Sequence, residues 1–331
     1  MPVPKWVPAL FSLLVAAHAR AQAPVSVSLT TDSTPTPADA VYAIPTMPDR
    51  LGRVLAPINI DGHGPYRFLV DTGSTGTFVG AALAAELGIG PPADGSSHLL
   101  RIHDVLGTVT APAIHLDRID LGRFVTTDLM VPMLPLRDAS GAVGVLGVER
   151  LQGRQLSVDF RRDIIRIEPT GRDIPDDYDM VAARIDKGGL MVISVEMDDI
   201  SAPALIDTGA ERTIINAAML EALYAAGDNP LRIGDARLVN LFGTRVPGTF
   251  YVLEHLRLGP FSIVNLPIVV VAPQQFESWG HADNPAIVLG MDVLGRADGL
   301  VLDYGQSALY LRFPMTLVES DRMVRHALPH P

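Results

Sequence analysis

The sequence predicts a mainly β protein built from two equivalent lobes, with one or two short helices per lobe. Short apolar runs and alternating apolar and polar residues dominate the chain, a pattern typical of strands. The tripeptide Asp-Thr-Gly occurs twice, at Asp71 and at Asp207, each time after an apolar run. The segments after the two tripeptides repeat in the same order, which indicates an internal duplication.

The spacing of the repeated segments supports this duplication. Gly107 and Gly243 each lie 36 residues after the Asp of their own half. An apolar-apolar-Gly segment follows, ending at Gly147 in the first half and at Gly290 in the second. Each half therefore carries the same ordered set of motifs, and we expect the two halves to adopt the same fold.

Local patterns predict the elements around each Asp. Residues 54–60 and 66–70 predict a hairpin before Asp71, and residues 192–197 and 204–206 predict its counterpart before Asp207. A strand and then a short helix are predicted after each tripeptide, and apolar residues spaced by four indicate the helix. These residues are Val79, Leu83 and Leu87 in the first half, and Ile215, Met219 and Leu223 in the second.

These motifs resemble those of the pepsin and retropepsin-like aspartic proteases over roughly residues 50–315, and look most like the bacterial retropepsin-like type. The resemblance implies a two-lobed, pseudo-twofold fold of β-barrel lobes in a single chain. It also implies a catalytic dyad of Asp71 and Asp207 and three supporting groups of residues. The dyad is supported by Thr72, Gly73, Ser74, Thr208, Gly209 and Ala210; the substrate-covering flaps include Leu106, Gly107, Thr108, Phe242, Gly243 and Thr244; the catalytic loops rest on Leu146, Gly147, Leu289 and Gly290.

A pair of close carboxylates has a chemistry that needs no cofactor and no metal. Two carboxylates about 3 Å apart cannot both ionise cheaply, so they share a proton and titrate as a coupled pair. The ionised member can take a proton from an attacking water, and the protonated member can polarise the amide carbonyl. The sequence therefore predicts an aspartic endopeptidase that cleaves extended polypeptides. The alternatives are a catalytically inactive peptide-binding protein of the same fold, or two purely structural turns.

Two further features concern how the substrate is covered and which Asp is charged. Residues 99–109 and 238–246 predict Gly-bearing hairpins, which in such a family fold over the substrate. An ordinary surface hairpin is the alternative for each. Ser74 follows the first tripeptide and Ala210 the second, and a Ser hydroxyl can donate a hydrogen bond to a neighbouring carboxylate. The two halves are therefore expected to differ in how strongly they favour the charged Asp.

Composition limits the possible partners. The formal net charge of −11 argues against nucleic acid or an anionic membrane as the main partner. The chain has no Cys and hence no disulfide, and its nine His residues show no zinc-binding motif. We expect a polypeptide substrate and a monomer, since an internal pseudo-dimer needs no second chain.

The ends of the chain predict export and an ordered division into segments. Lys5, an apolar run and Ala19-Arg20-Ala21 predict a cleaved signal peptide, and hence a soluble periplasmic or secreted protein. The predicted segments are a signal peptide (1–21), a flexible linker (22–45), an N-terminal lobe (46–170), a connector (171–180), a C-terminal lobe (181–316) and a tail (317–331).

Overall fold

A computed structural model describes residues 41–42, 53–92, 98–104, 107–136 and 141–314. The predicted signal peptide, the tail and most of the predicted linker lie outside these residues, as does Leu106. The strands are β1 (Val41–Tyr42), β2 (Leu55–Ile60), β3 (His63–Val70), β4 (Phe78–Gly80), β5 (Leu99–Asp104), β6 (Gly107–Leu121), β7 (Phe124–Leu134), β8 (Gly144–Leu146), β9 (Arg154–Asp159), β10 (Ile164–Pro169), β11 (Asp179–Ile185), β12 (Met191–Met197), β13 (Ile200–Ile206), β14 (Ile214–Asn216), β15 (Leu231–Val239), β16 (Arg245–Leu258), β17 (Phe261–Val271), β18 (Ile287–Leu289), β19 (Gly299–Asp303) and β20 (Ala308–Arg312). The helices are α1 (Ala81–Glu86), α2 (Ala217–Ala226) and α3 (Met291–Leu294), with 3-10 turns at Val148–Arg150 and Pro273–Phe276.

The described residues form a mainly β fold with two lobes, as predicted. In the N-terminal lobe, strands β2 to β8 form one sheet in the order β2-β3-β8-β4-β7-β6-β5, and an added β2–β6 pairing curls it into a barrel-like shape. In the C-terminal lobe, strands β12 to β18 follow the order β12-β13-β18-β14-β17-β16-β15, and a β12–β16 pairing closes the sheet in the same way. The strand order and the closing pair are therefore equivalent in the two lobes.

An interlobe sheet connects the halves of the chain. Its strand order is β1-β10-β9-β19-β20-β11, and β9 pairs antiparallel with β19. Strands β9 and β10 fall within the predicted N-terminal lobe, yet they share this sheet with the last two strands of the chain. Strand β1, which lies inside the segment predicted to be a linker, pairs with β10.

The hairpins that lead to the two Asp residues are confirmed, with tighter turns than the sequence indicated. Strands β2 and β3 are joined by Asp61 and Gly62, and β12 and β13 by Asp198 and Asp199. All four of these residues have positive φ. Turns with two such residues match the right-handed twist of antiparallel strands, so the strands continue almost to the turn itself.

The predicted helices are also confirmed, but they begin later than the spacing of four indicated, since Val79 lies on β4 and Ile215 on β14. Leu83 of α1 and Met219 and Leu223 of α2 are buried against the apolar core. Asn216 caps the start of helix α2, because its side-chain oxygen accepts a hydrogen bond from the N–H of Met219 at 3.0 Å. Gly227, with φ of 96°, caps the other end. These caps satisfy backbone groups that the helix leaves unpaired at its ends.

Within the described residues, no helix is long and apolar enough to cross a membrane.

We expect the interlobe sheet to contribute strongly to stability. Leu302 is fully buried on β19 and lies opposite Leu156 of β9. Truncation by Leu302→Ala should lower the free energy of unfolding by about 3 kcal/mol, because it removes apolar contacts and leaves a cavity. Urea denaturation measures this. The matched change Leu231→Ala, at a residue that is 64% exposed, should cost less than about 0.5 kcal/mol. Equal effects would contradict a packed interlobe core.

Candidate active site

Two buried strands deliver the two Asp residues to one place. Asp71 follows β3 and Asp207 follows β13, and both are almost fully buried, with 2% and 3% of their surface exposed. A parallel neighbour holds each strand end, since the N–H of Asp71 donates to the carbonyl of Leu146 and that of Asp207 to the carbonyl of Leu289, both at 3.0 Å. The apolar-apolar-Gly segments thus lie directly beside the ends of the Asp-bearing strands.

Thr72 and Thr208 bind each other's loops. The N–H of Thr72 donates to Oγ1 of Thr208 at 3.2 Å, and the N–H of Thr208 donates to Oγ1 of Thr72 at 3.0 Å. Each hydroxyl then donates across the lobes, from Thr72 to the carbonyl of Ile206 at 2.7 Å and from Thr208 to the carbonyl of Val70 at 2.6 Å. These four bonds are fully buried and symmetric, so they fix the two loops against each other.

The two carboxyl groups meet across this junction. The carboxyl of Asp71 is in hydrogen-bond contact with that of Asp207. A Cβ added to Gly73 would lie 2.4 Å from Cγ of Asp207, and one added to Gly209 would lie 2.4 Å from Cγ of Asp71. Glycine is therefore required at both positions, because any side chain would occupy the space of the opposite carboxyl.

Backbone donors hold each carboxyl in place. The N–H of Gly73 donates to Oδ1 of Asp71 at 2.9 Å, and the N–H of Gly209 donates to Oδ1 of Asp207 at 2.8 Å. Burial raises the pKa of Asp71 above its ordinary value, and the bond from Gly73 and the contact with Asp207 lower it only in part. The arrangement therefore favours a proton held between the two carboxyls.

The residue after each tripeptide acts differently from our expectation. The hydroxyl of Ser74 donates to the backbone carbonyl of Gly76 at 3.0 Å, and this bond stabilises the loop. On the other side, the N–H of Ala210 donates to Oδ1 of Asp207 at 3.0 Å. The expectation that the Ser74 hydroxyl donates to the neighbouring carboxylate is therefore wrong, because this hydroxyl donates to a backbone carbonyl.

A second pair of polar contacts supports the loops, and sequence reasoning missed it. Oγ1 of Thr77 accepts a hydrogen bond from the N–H of Gly147 at 3.1 Å, and the N–H of Thr77 donates to Oε1 of Glu149 at 2.8 Å. The C-terminal lobe has the same two bonds. The N–H of Gly290 donates to Oγ1 of Thr213 at 3.4 Å, and the N–H of Thr213 donates to Oδ2 of Asp292 at 3.0 Å.

The sequence carried a signal for this pair. Thr77 and Thr213 each stand six residues after the Asp of their half, and an acidic residue stands two after each of Gly147 and Gly290. Burial raises the pKa of Asp292, and the bonds from Thr213 oppose this rise. The contact therefore places a half-buried acid beside the second loop.

Tyr304 is a further buried group that the sequence did not suggest. It is 6% exposed, and its hydroxyl has no hydrogen-bond partner among the described residues. Burial raises its pKa above the ordinary value, and the negative carboxyls of Asp71 and Asp207 add to the rise. The phenol is thus kept neutral in the neighbourhood of the two carboxyls.

The predicted flap hairpins are both present, with one correction at the first. Gly107 is the first residue of β6 and pairs with Asp104, so it lies in a strand and not at the predicted hairpin tip. Thr108 follows on the same strand, and its hydroxyl contacts Nδ1 of His103 at 2.9 Å. The first hairpin is fixed to the Asp71 loop because the N–H of Thr75 donates to the carbonyl of His103 at 3.0 Å.

The second hairpin reaches across to the N-terminal lobe. Its turn is held by Asn240, whose side-chain oxygen accepts hydrogen bonds from the N–H groups of Phe242 and Thr244, and Gly243 has φ of 81°. The ring of Phe242 lies 5.6 Å from that of Phe78, and both belong to an apolar cluster of the N-terminal lobe. This hairpin therefore extends over the cleft from one lobe to the other.

The second hairpin and the carboxyls enclose a cavity of about 260 Å³. It is lined by Asp71, Asp207, the loop after Asp207 and β15 with its turn. Among the described residues, no group of three or more His, Cys, Asp or Glu could hold a metal ion. The chemistry that the site can support on its own residues is acid–base chemistry by two carboxyls.

Comparison with known families agrees with this geometry. Residues 56–153 match the family model described as "gag-polyprotein putative aspartyl protease", and residues 193–293 match the model described as "Aspartyl protease". No curated protein sequence matches the chain. Among solved structures, the chain is similar to a retropepsin-like aspartic protease from Rickettsia conorii, with 18% identity over 41% of this chain and 90% of that one, and a TM-score of 0.29.

The threonine contacts predict a large loss of stability on removal of one hydroxyl. Thr72→Val keeps the shape but leaves the carbonyl of Ile206 and the N–H of Thr208 without this buried partner. We expect a loss of about 3 kcal/mol in the free energy of unfolding, measured by urea denaturation. Thr208→Val should have an equal effect, and the exposed Thr127→Val should have almost none. Unequal effects of the two buried changes would contradict the symmetric arrangement.

The raised pKa of Asp71 predicts a pH-dependent stability. A carboxyl with a raised pKa in the folded state binds its proton more tightly there, so its contribution to stability is complete below the unfolded pKa of about 3.9. That contribution is lost as the pH rises towards the folded pKa. Asp71→Asn removes this titration. As the pH rises from 4 to neutrality, the melting temperature of this variant should therefore increase relative to that of the parent. Melting curves across this range that stay parallel would exclude the effect.

Proposed function

The chain belongs to the aspartyl proteases, with a family match in each half, and we propose that it is a retropepsin-like endopeptidase acting on extended polypeptides. The single observation that carries this proposal is the pair of buried carboxyls, Asp71 and Asp207, in hydrogen-bond contact between the lobes. Each comes from one half of a duplicated unit, so one chain supplies a complete pair.

We assign the hydrolysis to this pair as a general acid and a general base. A water held between the carboxyls attacks the amide carbon, the ionised carboxylate accepts a proton from it, and the protonated carboxyl donates to the carbonyl oxygen. Collapse of the resulting tetrahedral intermediate breaks the C–N bond as a proton passes to the leaving nitrogen. The bonds between Thr72 and Thr208 hold the carboxyls in place during these steps, so little reorganisation is needed.

The surroundings of the dyad suit an extended peptide. The cleft continues on both sides of the carboxyls, along the second hairpin on one side and past Gly73, Thr75 and His103 on the other. We propose that both hairpins fold over the bound chain, as flaps that exclude water and strengthen the electrostatics at the scissile bond. The contact between Phe242 and Phe78 supports a covering role for the second hairpin.

We further propose that the protein acts after export and as a monomer. The features at Lys5 and at Ala19-Arg20-Ala21 support removal of residues 1–21 as a signal peptide. Both carboxyls come from one chain, which supports a monomer in place of the two-chain assembly that a single domain would need.

Cleavage of casein tests the proposal across acidic to neutral pH. We expect Asp71→Asn and Asp207→Asn each to lower turnover by at least about a hundredfold, since each removes one partner of the proton-sharing pair. Asp163→Asn, at an exposed turn outside the cleft, is the matched control and should keep full turnover. Circular dichroism confirms that each variant is folded. Peptide binding without cleavage by the folded parent would instead favour an inactive, peptide-binding role.

A further inference from the structure

The two sides of the cleft differ in charge, although the two halves of the chain share a fold. We infer that the cleft selects an acidic side chain of the substrate on one side of the scissile bond, through Arg212 and Arg237, with the buried Arg53 adding positive charge to the same side. This inference rests on the proposed function, since it names the class of polypeptide that the same site takes. We call the side lined by these arginines the basic half-cleft.

The basic half-cleft brings together arginines from separate parts of the chain. Arg53 precedes β2 and is 4% exposed, Arg212 lies on the loop after Asp207, and Arg237 lies on β15 of the second hairpin. The described lining also includes one acid besides the dyad, Glu211, so its side chains other than the dyad carry a formal charge of +2. This cluster stands out in a chain whose net charge is −11.

The opposite side of the cleft lacks this character among its described lining residues. It is lined by Asp186, Lys187, Glu277 and Trp279 beside the loop of Asp71. Duplication makes the comparison direct, because Arg53 stands 18 residues before its Asp, at the offset where the second half has Gly189. Similarly, Arg212 stands five residues after its Asp, where the first half has Gly76. Arg53 and Arg212 are thus departures from the repeat, whereas Arg237 has an arginine, Arg101, at the same offset in the first half. Arg101 does not belong to the described lining of the opposite side, so the lining arginines lie on one side of the dyad.

Guanidinium groups in a partly enclosed, partly apolar cleft favour a carboxylate ligand. Arginine presents a planar fork that donates two hydrogen bonds to a carboxylate, and these charge-assisted bonds are stronger in a low-dielectric site. Ile214 and Leu238 line the same cavity and can pack against the aliphatic stem of a Glu side chain. The negative dyad repels a carboxylate next to it, so the acidic residue is expected away from the scissile bond, towards Arg212 and Arg237.

A set of labelled decapeptides tests this preference. In each peptide a single Glu occupies a different position of an otherwise neutral sequence, and the matched peptide carries Gln there. Binding is measured by fluorescence anisotropy with the Asp71→Asn variant, and kcat/KM is measured with the parent. We expect one position, on one side of the cleavage site, at which Glu exceeds Gln about tenfold in both measurements. The excess should decrease as salt rises.

Variants assign this preference to the arginines. Arg237→Gln and Arg212→Gln should each reduce the ratio of Glu to Gln at least about threefold, and Arg237→Glu should favour a Lys-containing peptide at the same position. Arg232→Gln is the matched control, because Arg232 lies five residues earlier on β15 and outside the cleft lining. It pairs with Asp235 at the surface, and its loss should leave the ratio unchanged.

The outcomes separate this inference from the proposed function. Dyad-dependent cleavage with equal rates for Glu and Gln at every position would overturn the charge preference alone. A preference for Glu that persists in both Arg→Gln variants would also overturn it. Binding that prefers Glu in an arginine-dependent way, without cleavage by the parent, would support the preference and count against peptidase activity. Neither binding nor cleavage of any peptide would overturn both.

Discussion

The structure depends on one interaction, the reciprocal hydrogen bonding of Thr72 and Thr208 across the lobes. These bonds bring two loops from separate barrels so close that each glycine after the threonine lies against the opposite carboxyl. The loops could not approach in this way if either glycine carried a side chain. Because the bonds are buried and each hydroxyl also binds a carbonyl of the other lobe, the lobes have a fixed relation at the point where the chemistry is proposed.

Bringing two carboxyls together in a buried site has a cost that the surrounding residues reduce. Desolvation opposes the charged form, while the N–H groups of Gly73 and Gly209 bind the carboxyl oxygens and hold them in place. Beside these loops, Thr77 with Glu149 and Thr213 with Asp292 fix the apolar-apolar-Gly segments. The support for the dyad is therefore as symmetric as the dyad itself, which explains why the duplication is so regular in this part of the sequence.

The symmetry between the two halves does not extend to the walls of the cleft. The second hairpin packs Phe242 on the N-terminal lobe. Three arginines line one side of the cleft, while the other side has Asp186, Lys187, Glu277 and Trp279. The residues that hold the carboxyls must keep their geometry, since small displacements cost activity. The walls meet only the substrate, so they can diverge between the halves. In our proposal, a symmetric dyad provides the hydrolysis and an asymmetric cleft decides which peptides enter it.

The sequence by itself determined the elements whose signals are local. Alternating strands, the hairpins before each Asp, helices after each tripeptide and the repeat of motifs all follow from short-range periodicity and turn chemistry, and the structure has them. Only the tertiary structure decided which partners side chains choose. It turned the Ser74 hydroxyl to Gly76, placed Gly107 in a strand, set Tyr304 in the neighbourhood of the carboxyls and gathered Arg53, Arg212 and Arg237 on one side of the cleft. These choices depend on packing between residues far apart in the chain, and no local pattern encodes the distance between them.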